Sequence, residues 1–384
     1  MTSNENPSHK RKVCFVVNEC GFFYSHRFEL AKKLASLSEV YLITDVSLTN
    51  KKIIKKIIDA DINIHTLKAR ASSKGLIALF SYFIGLLRLI NKIKPSTILF
   101  VTLEISLFGA LISFFKKKID FYYLITGFGP FLFAKSLKNK FLFHIIKFIF
   151  STKKRLSNYK FIFQNIEDKD IFINLGFTLE KMTVVIRGSG IDLNKHHFHN
   201  RDDIKSLSFI FASRLVKAKG IREFLNAAKI IKKAYPKIKI NIAGKYDPAD
   251  PDTISEELFK EIEISNHAQY LGDINHDEMA ETLMQSDIFV LPSYGEGLPK
   301  AALEAAASGM PLILSDVSGC KECLDDKKNG LLIKSKDVQS LVTAMEWMIL
   351  NQQQISLMGQ VSREIIEKKF SINEIYYAYK NLIF

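Results

Sequence analysis

The sequence predicts an α/β protein built from two parallel-sheet domains, and three observations carry that expectation. The chain has 384 residues, more than one ordinary core organises. Short apolar or β-branched runs alternate with helix-period segments, which is the pattern of successive βαβ units. The pattern stops at the polar stretch 196–205 and then restarts, so that stretch is the expected linker. The resulting boundaries are 1–198 for a first domain, 199–366 for a second, and 367–384 for a C-terminal helix able to cross back to the first.

In chain order, Lys12–Val17 reads as the first strand, followed by a turn at Asn18–Gly21 and a helix from Ser25 to Leu37. Further strands are expected at Val40–Thr44, Ile62–Leu67, Thr97–Val101, Phe121–Ile125, Lys160–Phe163 and Met182–Ile186. The second half opens with a strand at Leu207–Phe211, a helix at Gly220–Lys233 and a strand at Ile238–Ile242. Asn275, with Glu278 three residues on, can cap a helix running through Met284. Then come a strand at Ile288–Leu291, a helix from Pro299 to Ser308, a strand at Pro311–Leu314 and a helix at Val338–Asn351. Pro299 suits a helix start because its fixed φ and missing N–H cost nothing there. Tyr376, Tyr377, Tyr379, Leu382 and Phe384 recur at helical spacing and can pack on either domain.

Composition narrows the class. The apolar fraction is 47%, and 30 phenylalanines are more than a core of this size ordinarily takes. The cysteines, Cys14, Cys20, Cys320 and Cys323, are too sparse for a disulfide scaffold, and the lone C-x-x-C lacks a second ligand pair. The N-terminal dozen residues carry no apolar core of a signal peptide, and charges interrupt every long apolar run, so no spanning helix is expected. Residues 1–200 hold 31 Lys and Arg against 14 Asp and Glu, a net +17, whereas the remainder is at −3. Only the first domain therefore suits an extended anionic partner, a membrane surface or a nucleic acid.

Two elements can carry chemistry. The run Phe211-Ala212-Ser213-Arg214-Leu215-Val216-Lys217-Ala218-Lys219-Gly220 joins a strand to a helix. The Arg214 fork can clamp phosphate oxygens, Lys219 adds a second cation, and the helix N-terminus favours an anion. In Ser293-Tyr294-Gly295-Glu296-Gly297-Leu298-Pro299 a glycine-flanked turn carries Glu296, and Glu304 follows in the helix. Both carboxylates can face the carboxyl end of a strand, where open α/β sheets place ligands. Taken alone, the acidic pair also fits capping or solvent-facing roles, and the basic loop an ordinary surface. Asp59/Asp61, Asp168/Asp170 and Asp250/Asp252 have D-x-D spacing but lie outside these elements, so no metal site is expected.

With these motifs the chain resembles the retaining, two-domain GT-B glycosyltransferases of family 4 type, over about residues 12–370. The resemblance implies two Rossmann-like domains facing across a cleft. It also implies a UDP-sugar co-substrate, no further cofactor and no required metal. Arg214 and Lys219 would hold the donor diphosphate, Glu296 the sugar hydroxyls and Glu304 the ribose. Gly244, Gly297 and Leu298 would line the donor, and Glu296, Arg214 and Lys219 form the catalytic set. Lys245 departs from the glycine-acid-glycine turn that relatives often show from the Gly244 position. A front-face retaining mechanism is the family expectation, with a covalent intermediate on Glu296 as the alternative.

Phe22-Phe23-Tyr24-Ser25-His26-Arg27, Ile125-Thr126-Gly127-Phe128-Gly129, Phe163-Gln164-Asn165-Ile166-Glu167-Asp168 and Gly188-Ser189-Gly190-Ile191-Asp192 narrow the resemblance. It becomes one to bacterial transferases extending saccharides on undecaprenyl diphosphate, for O-antigen, capsule or N-glycan assembly. N-acetylgalactosaminyl and galactosyl transfers are common among them. Acceptor contacts are then expected at Gly21, Ser25, His26, Arg27, Thr126 and Gly127, with a phosphate-holding backbone nest at Gly21; an N-cap serine beside a solvent-facing histidine is the bland alternative. The implied partner is a polyprenyl-diphosphate-linked saccharide, at the cytoplasmic face of a bacterial membrane.

Leu76–Lys94 and Phe131–Lys154 mix rings with lysines, and Lys135, Lys138, Lys140, Phe141 and Phe143 are the expected anionic-membrane contacts. Core-facing helices are the alternative there. A lipopolysaccharide-core or soluble acceptor, and a non-catalytic anionic-surface or nucleic-acid-binding protein, are the competing functions. The chain lacks a recognition helix, finger or RNP-like strand, so no nucleic-acid partner is expected. Oligomeric state is not legible.

Overall fold

A computed structural model describes residues 10–68, 76–127, 137–151, 158–202, 204 and 206–384. By its internal contacts the chain divides into two compact units. One extends to Ser189 and includes Ile375–Phe384; the other is Gly190–Glu374.

The first unit holds a seven-stranded sheet in the order β3-β2-β1-β4-β5-β6-β7. Its strands are β1 Lys12–Glu19, β2 Glu39–Asp45, β3 Ile62–Thr66, β4 Thr97–Val101, β5 Asp120–Ile125, β6 Tyr159–Phe163 and β7 Thr183–Val185. Every pairing is parallel. Each strand therefore returns through a crossover, and helices must cover the sheet. Alternate strand residues such as Cys14, Val16, Phe100, Phe121, Tyr123, Phe161 and Phe163 form one core with Leu86, Ile90, Ile105, Ile112, Ile146, Phe150 and Phe172 from the helices. Phe150, Phe161, Phe163, Phe172 and Phe177 interlock in this core, with ring centroids 4.5–6.4 Å apart. Much of the phenylalanine content is thus core packing.

The second unit holds a six-stranded sheet in the order β10-β9-β8-β11-β12-β13. Its strands are β8 Ser208–Ala212, β9 Lys239–Ala243, β10 Gln269–Tyr270, β11 Ile288–Leu291, β12 Leu312–Ser315 and β13 Gly330–Ile333. Again all pairings are parallel. In both sheets the strand order reverses beside the first strand, between β1 and β4 and between β8 and β11. Loops leaving those carboxyl ends diverge to opposite faces, and the crevice they leave is the usual ligand position.

Three expectations need correction. No turn forms at Asn18–Gly21: β1 continues to Glu19, and the helices Cys20–His26 and Phe28–Leu34 follow. Cys20, Phe23 and Tyr24, at i, i+3 and i+4, are all buried, so the apolar stripe starts the helix early. The second helix of interest starts at Met279, later than the Asn275 cap implied, with Asn275 only closing a turn to Glu278. The stretch 196–205 is no linker in its described residues, and the division falls ahead of it, between Ser189 and Gly190. Arg201 is 4% exposed and donates to the carbonyls of His199, Ser286, Ser308 and Gly309, tying this stretch into the second unit. Burial lowers its pKa to about 10.

The closing helix Ile372–Ile383 contributes its later residues to the first unit. Tyr379 is buried there, Tyr122 donates its hydroxyl to the Leu382 carbonyl at 2.7 Å, and Arg11 bonds the Ile383 carbonyl and lies over the Phe384 ring.

Candidate functional site

In the second unit the switch point sets two loops side by side. One leaves β8 and carries Ser213, Arg214 and a single 3₁₀ turn, Lys217–Lys219, before the helix Ile221–Ala234. The other leaves β11 as Pro292–Leu298 before the helix Lys300–Ala307. Tyr294 N–H donates to the Ala218 carbonyl at 2.8 Å, fastening one loop to the other.

Gly319 holds the second loop from behind. Its N–H donates to the Glu296 carbonyl at 3.2 Å, and a Cβ at Gly319 would lie 2.5 Å from the Glu296 and Gly297 carbonyl oxygens. Only glycine permits that approach. Gly244, at the end of β9, has φ +153°, and a Cβ there would lie 1.8 Å from the Ser213 carbonyl oxygen. Its own N–H donates to Gly272 at 2.9 Å, and its carbonyl accepts from the Tyr270 hydroxyl at 2.8 Å. Gly244 therefore abuts the Arg214 loop.

The charged side chains of these loops form three cation–carboxylate pairs. Lys219 Nζ lies 2.6 Å from Glu296 Oε1, with the Glu296 side chain only 8% exposed. Arg214 Nη1 donates to Asp250 Oδ2 at 2.9 Å, and Asp250 Oδ1 in turn accepts from the Asp252 N–H at 3.0 Å. Lys300 bonds Glu304 one helical turn on. Gly297 and Leu298 are half-buried beside Glu296, and Lys245 pairs with Asp247 at 2.8 Å.

Glu304 is the most enclosed of these charges, at 4% exposure. His196 Nε2 and His276 Nδ1 stand 3.9 and 3.8 Å from its Oε1. Burial acts to raise this carboxyl, but Lys300 and then the two histidines outweigh it and hold the pKa down at about 2. Burial lowers both imidazoles, His276 to about 4, with Lys300 adding to the effect. At neutral pH the His276 ring is therefore uncharged, and Lys300 is the chief balance to Glu304. Among the described residues, His196 Nδ1 is buried without a hydrogen-bond partner. Sequence reading missed Lys300, His196 and His276. Lys300 was detectable as an i, i+4 partner of Glu304, whereas the histidines arrive from distant loops.

In the first unit, Thr126 and Gly127 are half-buried just past the end of β5, with Gly127 at φ 132°. Phe128–Pro130 lie outside the described residues. The nest expected at Gly21 does not form, because Gly21 is an exposed residue in the first turn of a helix. Ser25 and His26 close that helix rather than open the next. Ser25 Oγ donates to the Phe22 carbonyl at 3.2 Å and lies 2.7 Å from His26 Nδ1, and the His26 ring stacks on Phe22 at 4.3 Å. Arg27 is 1% exposed, donates to the Gly188 carbonyl at 3.2 Å, and has its pKa lowered by burial. A guanidinium so enclosed braces the fold and is not presented to a ligand.

Of the expected membrane contacts, Lys135 and the side chains of Lys138, Lys140 and Phe141 lie outside the described residues. Phe143 instead packs edge-on against Phe177 at 5.2 Å and joins the core, as the core-facing alternative has it. Among the described residues no helix is long and apolar enough to cross a membrane, and no group of three or more His, Cys, Asp or Glu is placed to hold a metal ion.

Residues 193–365 match the family model described as glycosyl transferases group 1, and residues 12–159 the model described as glycosyl transferase 4-like. Over 288 residues the chain is 28% identical to the N,N'-diacetylbacillosaminyl-diphospho-undecaprenol alpha-1,3-N-acetylgalactosaminyltransferase of Campylobacter jejuni, spanning 71% of this chain and 72% of that protein. It is 28% identical over 218 residues to the UDP-Gal:alpha-D-GlcNAc-diphosphoundecaprenol alpha-1,3-galactosyltransferase of Escherichia coli, spanning 54% and 55%. HepE of Anabaena, solved in complex with UDP and glucose, matches in structure with a TM-score of 0.77 at 16% identity, covering 97% of this chain and 99% of that one. Sucrose-phosphate synthase from Thermosynechococcus elongatus matches at 0.75 and 16% identity, covering 97% and 98%.

Proposed function

This chain is a glycosyltransferase of the GT-B fold, related to the bacterial transferases that act on undecaprenyl-diphosphate-linked saccharides, and from that premise we propose its reaction. It moves a hexose or N-acetylhexosamine, N-acetylgalactosamine foremost, from a UDP-sugar to a polyprenyl-diphosphate-linked saccharide with retention at the anomeric carbon. The observation that carries this reading is the Lys219–Glu296 pair, 2.6 Å apart at the β8/β11 switch point. This supports a reading in which Lys219 takes the leaving diphosphate and Glu296 the sugar.

Arg214 and Lys219 hold the diphosphate, exchanging Asp250 and Glu296 for phosphate oxygens. The N-terminus of Ile221–Ala234 adds a favourable dipole end. As the bond from the anomeric carbon to the diphosphate oxygen breaks, these groups take up the developing negative charge. The acceptor hydroxyl forms its bond on the same face and passes its proton to the leaving phosphate oxygen. Glu296 holds the sugar hydroxyls and steadies the oxocarbenium-like ring. Glu304, kept ionised by Lys300, accepts hydrogen bonds from the ribose, with Gly244, Gly297 and Leu298 lining the donor. Thr126, Gly127 and His26 contact the acceptor from the carboxyl edge of the first sheet. The site of action is the cytoplasmic face of the cell membrane, where a lipid-linked acceptor resides.

The test is a panel of UDP-sugars offered with short polyprenyl-diphosphate saccharides, the product being identified by mass and linkage. Transfer to these acceptors with retained configuration is expected. Equal or better transfer to soluble or lipopolysaccharide-core acceptors would overturn the acceptor assignment, and failure with every UDP-sugar would overturn the donor assignment.

A further inference from the structure

The loop that leaves β9 brings an acid to a cation whose assigned partner is a diphosphate. β8 and β9 pair in parallel as far as Ala212 and Ala243, and the loops beyond them run on side by side. Leu215 N–H donates to the Lys245 carbonyl at 2.9 Å, Lys217 N–H to the Asp252 carbonyl at 3.0 Å, and Ile254 N–H to the Leu215 carbonyl at 3.1 Å. Thr253 Oγ1 donates to that same Leu215 carbonyl at 3.2 Å. Residues 245–254 are thereby strapped along the Arg214 loop, and they carry Asp247, Asp250 and Asp252 against one cation, Lys245.

Within the strap, Asp250 is the fixed member of its pair with Arg214. Its N–H donates to the Asp247 carbonyl at 3.0 Å, its carbonyl accepts from the Thr253 N–H at 3.1 Å, and its Oδ1 accepts from the Asp252 N–H at 3.0 Å. Oδ2 is then turned to Arg214 Nη1, at 2.9 Å. The Arg214 side chain is 67% exposed and the Asp250 side chain 22%. When phosphate oxygens take the guanidinium, the long arginine stem is free to move, whereas the carboxylate stays where its turn holds it. A negative charge therefore remains beside the anion that displaced it. Glu296 opposes Lys219 in the same way, but Glu296 has the sugar to hold, and Asp250 has no such task.

We infer that Asp250 sets the affinity of this site, a step that rests on the reading of Arg214 as the diphosphate clamp. It competes with the nucleotide diphosphate for Arg214, loosening the donor and hastening the departure of UDP. Repulsion grows with the charge on the ligand, and UDP, whose terminal phosphate is freed by transfer, bears more charge than the diester diphosphate of a UDP-sugar.

Full-length wild type and variants are titrated with UDP by calorimetry, and UDP release is followed by displacement. Asp250→Asn keeps an amide oxygen able to accept from the Asp252 N–H, so the turn survives while the charge goes. It should tighten UDP about 3- to 5-fold, the range of a partly exposed ion pair that no longer has to be broken. Release should slow by the same factor and the donor KM should fall, at a melting temperature close to that of wild type. Asp252→Asn removes an equal, exposed charge from the strap that makes no pair with Arg214. It should change UDP affinity less than about 2-fold, because a charge so exposed is screened. Arg214→Gln should weaken UDP about 10-fold or more, as loss of a charged hydrogen-bond donor does. Weaker UDP binding by Asp250→Asn would make Asp250 a support that orients Arg214, and unchanged binding would deny it any influence. Either result overturns the inference while Arg214 keeps its role. Equal tightening by Asp252→Asn would overturn it as well, since the charge of the strap rather than competition would be the cause. If Arg214→Gln binds UDP as wild type does, the reading of Arg214 falls and the inference with it.

Discussion

Replacing Lys300 by Met removes the chief charged partner of the most enclosed carboxylate among the described residues of the second unit. Burial by itself would push Glu304 up; instead its pKa is held at about 2 against an ordinary 4.5, with Lys300 the largest opposing influence. A shift of that size contributes on the order of 3 kcal/mol to the fold. Because the folded value is depressed, this contribution is complete above about pH 4.5 and is lost as pH falls towards 2. Without Lys300, burial dominates, and at pH 7 the unit must either protonate Glu304 or bury it uncompensated. Removing one partner of a buried pair costs about 3–5 kcal/mol. For a unit of this size that is a fall in melting temperature of about 6–20 °C. A second signature follows from His276, whose pKa is lowered to about 4 by burial and then by Lys300. Wild type therefore loses stability as pH drops from 6.5 towards 4, and Lys300→Met should lose less over that window. Calorimetry of both proteins between pH 7 and pH 4 reads both effects, and Glu304→Gln in the Lys300→Met background should recover most of the loss. A Lys300→Met protein within about 0.5 kcal/mol of wild type at pH 7, the range of surface substitutions, would refute the reasoning.

Two further outcomes test the same loops. Glu296→Gln should slow transfer about 100- to 1,000-fold while UDP binding, followed by titration calorimetry, stays within a few-fold, because the neutral amide no longer stabilises the developing charge. Unchanged turnover would remove Glu296 from its assigned role. Gly319→Ala places a methyl 2.5 Å from the carbonyls of Glu296 and Gly297. It should cost about 1–3 kcal/mol by overpacking and displace the Glu296 turn, so turnover and melting temperature should fall together.

The sheets were legible because their strands are short apolar runs, Thr97–Val101, Ser208–Ala212 and Ile288–Leu291 among them, buried on both faces. Pro299 marked its helix start correctly, standing at the N-cap of Lys300–Ala307. β10, two residues long, and β13, Gly330–Ile333, were missed: the first is too short to show a period and the second begins on glycine. At the site, Arg214, Lys219, Glu296 and Glu304 stood out through spacing along the chain. Their partners did not, since Asp250, His196 and His276 reach them only through tertiary folding. Arg201 and Arg27 show the opposite failure. Arg27 read as an acceptor contact and Arg201 as part of a linker, and each is buried and donates to backbone carbonyls that no local pattern announces.

The return of Ile375–Phe384 to the first unit sets an order on biosynthesis. Gly190–Glu374 is contiguous in the chain, so it can finish folding as soon as it clears the ribosome. The unit synthesised first must wait longer, because the place of Tyr379 stays unfilled and Arg11 lacks the Ile383 carbonyl until residues 375–384 have been made. Synthesis of the second unit, rather than emergence of its own sheet, is what the N-terminal half must wait for.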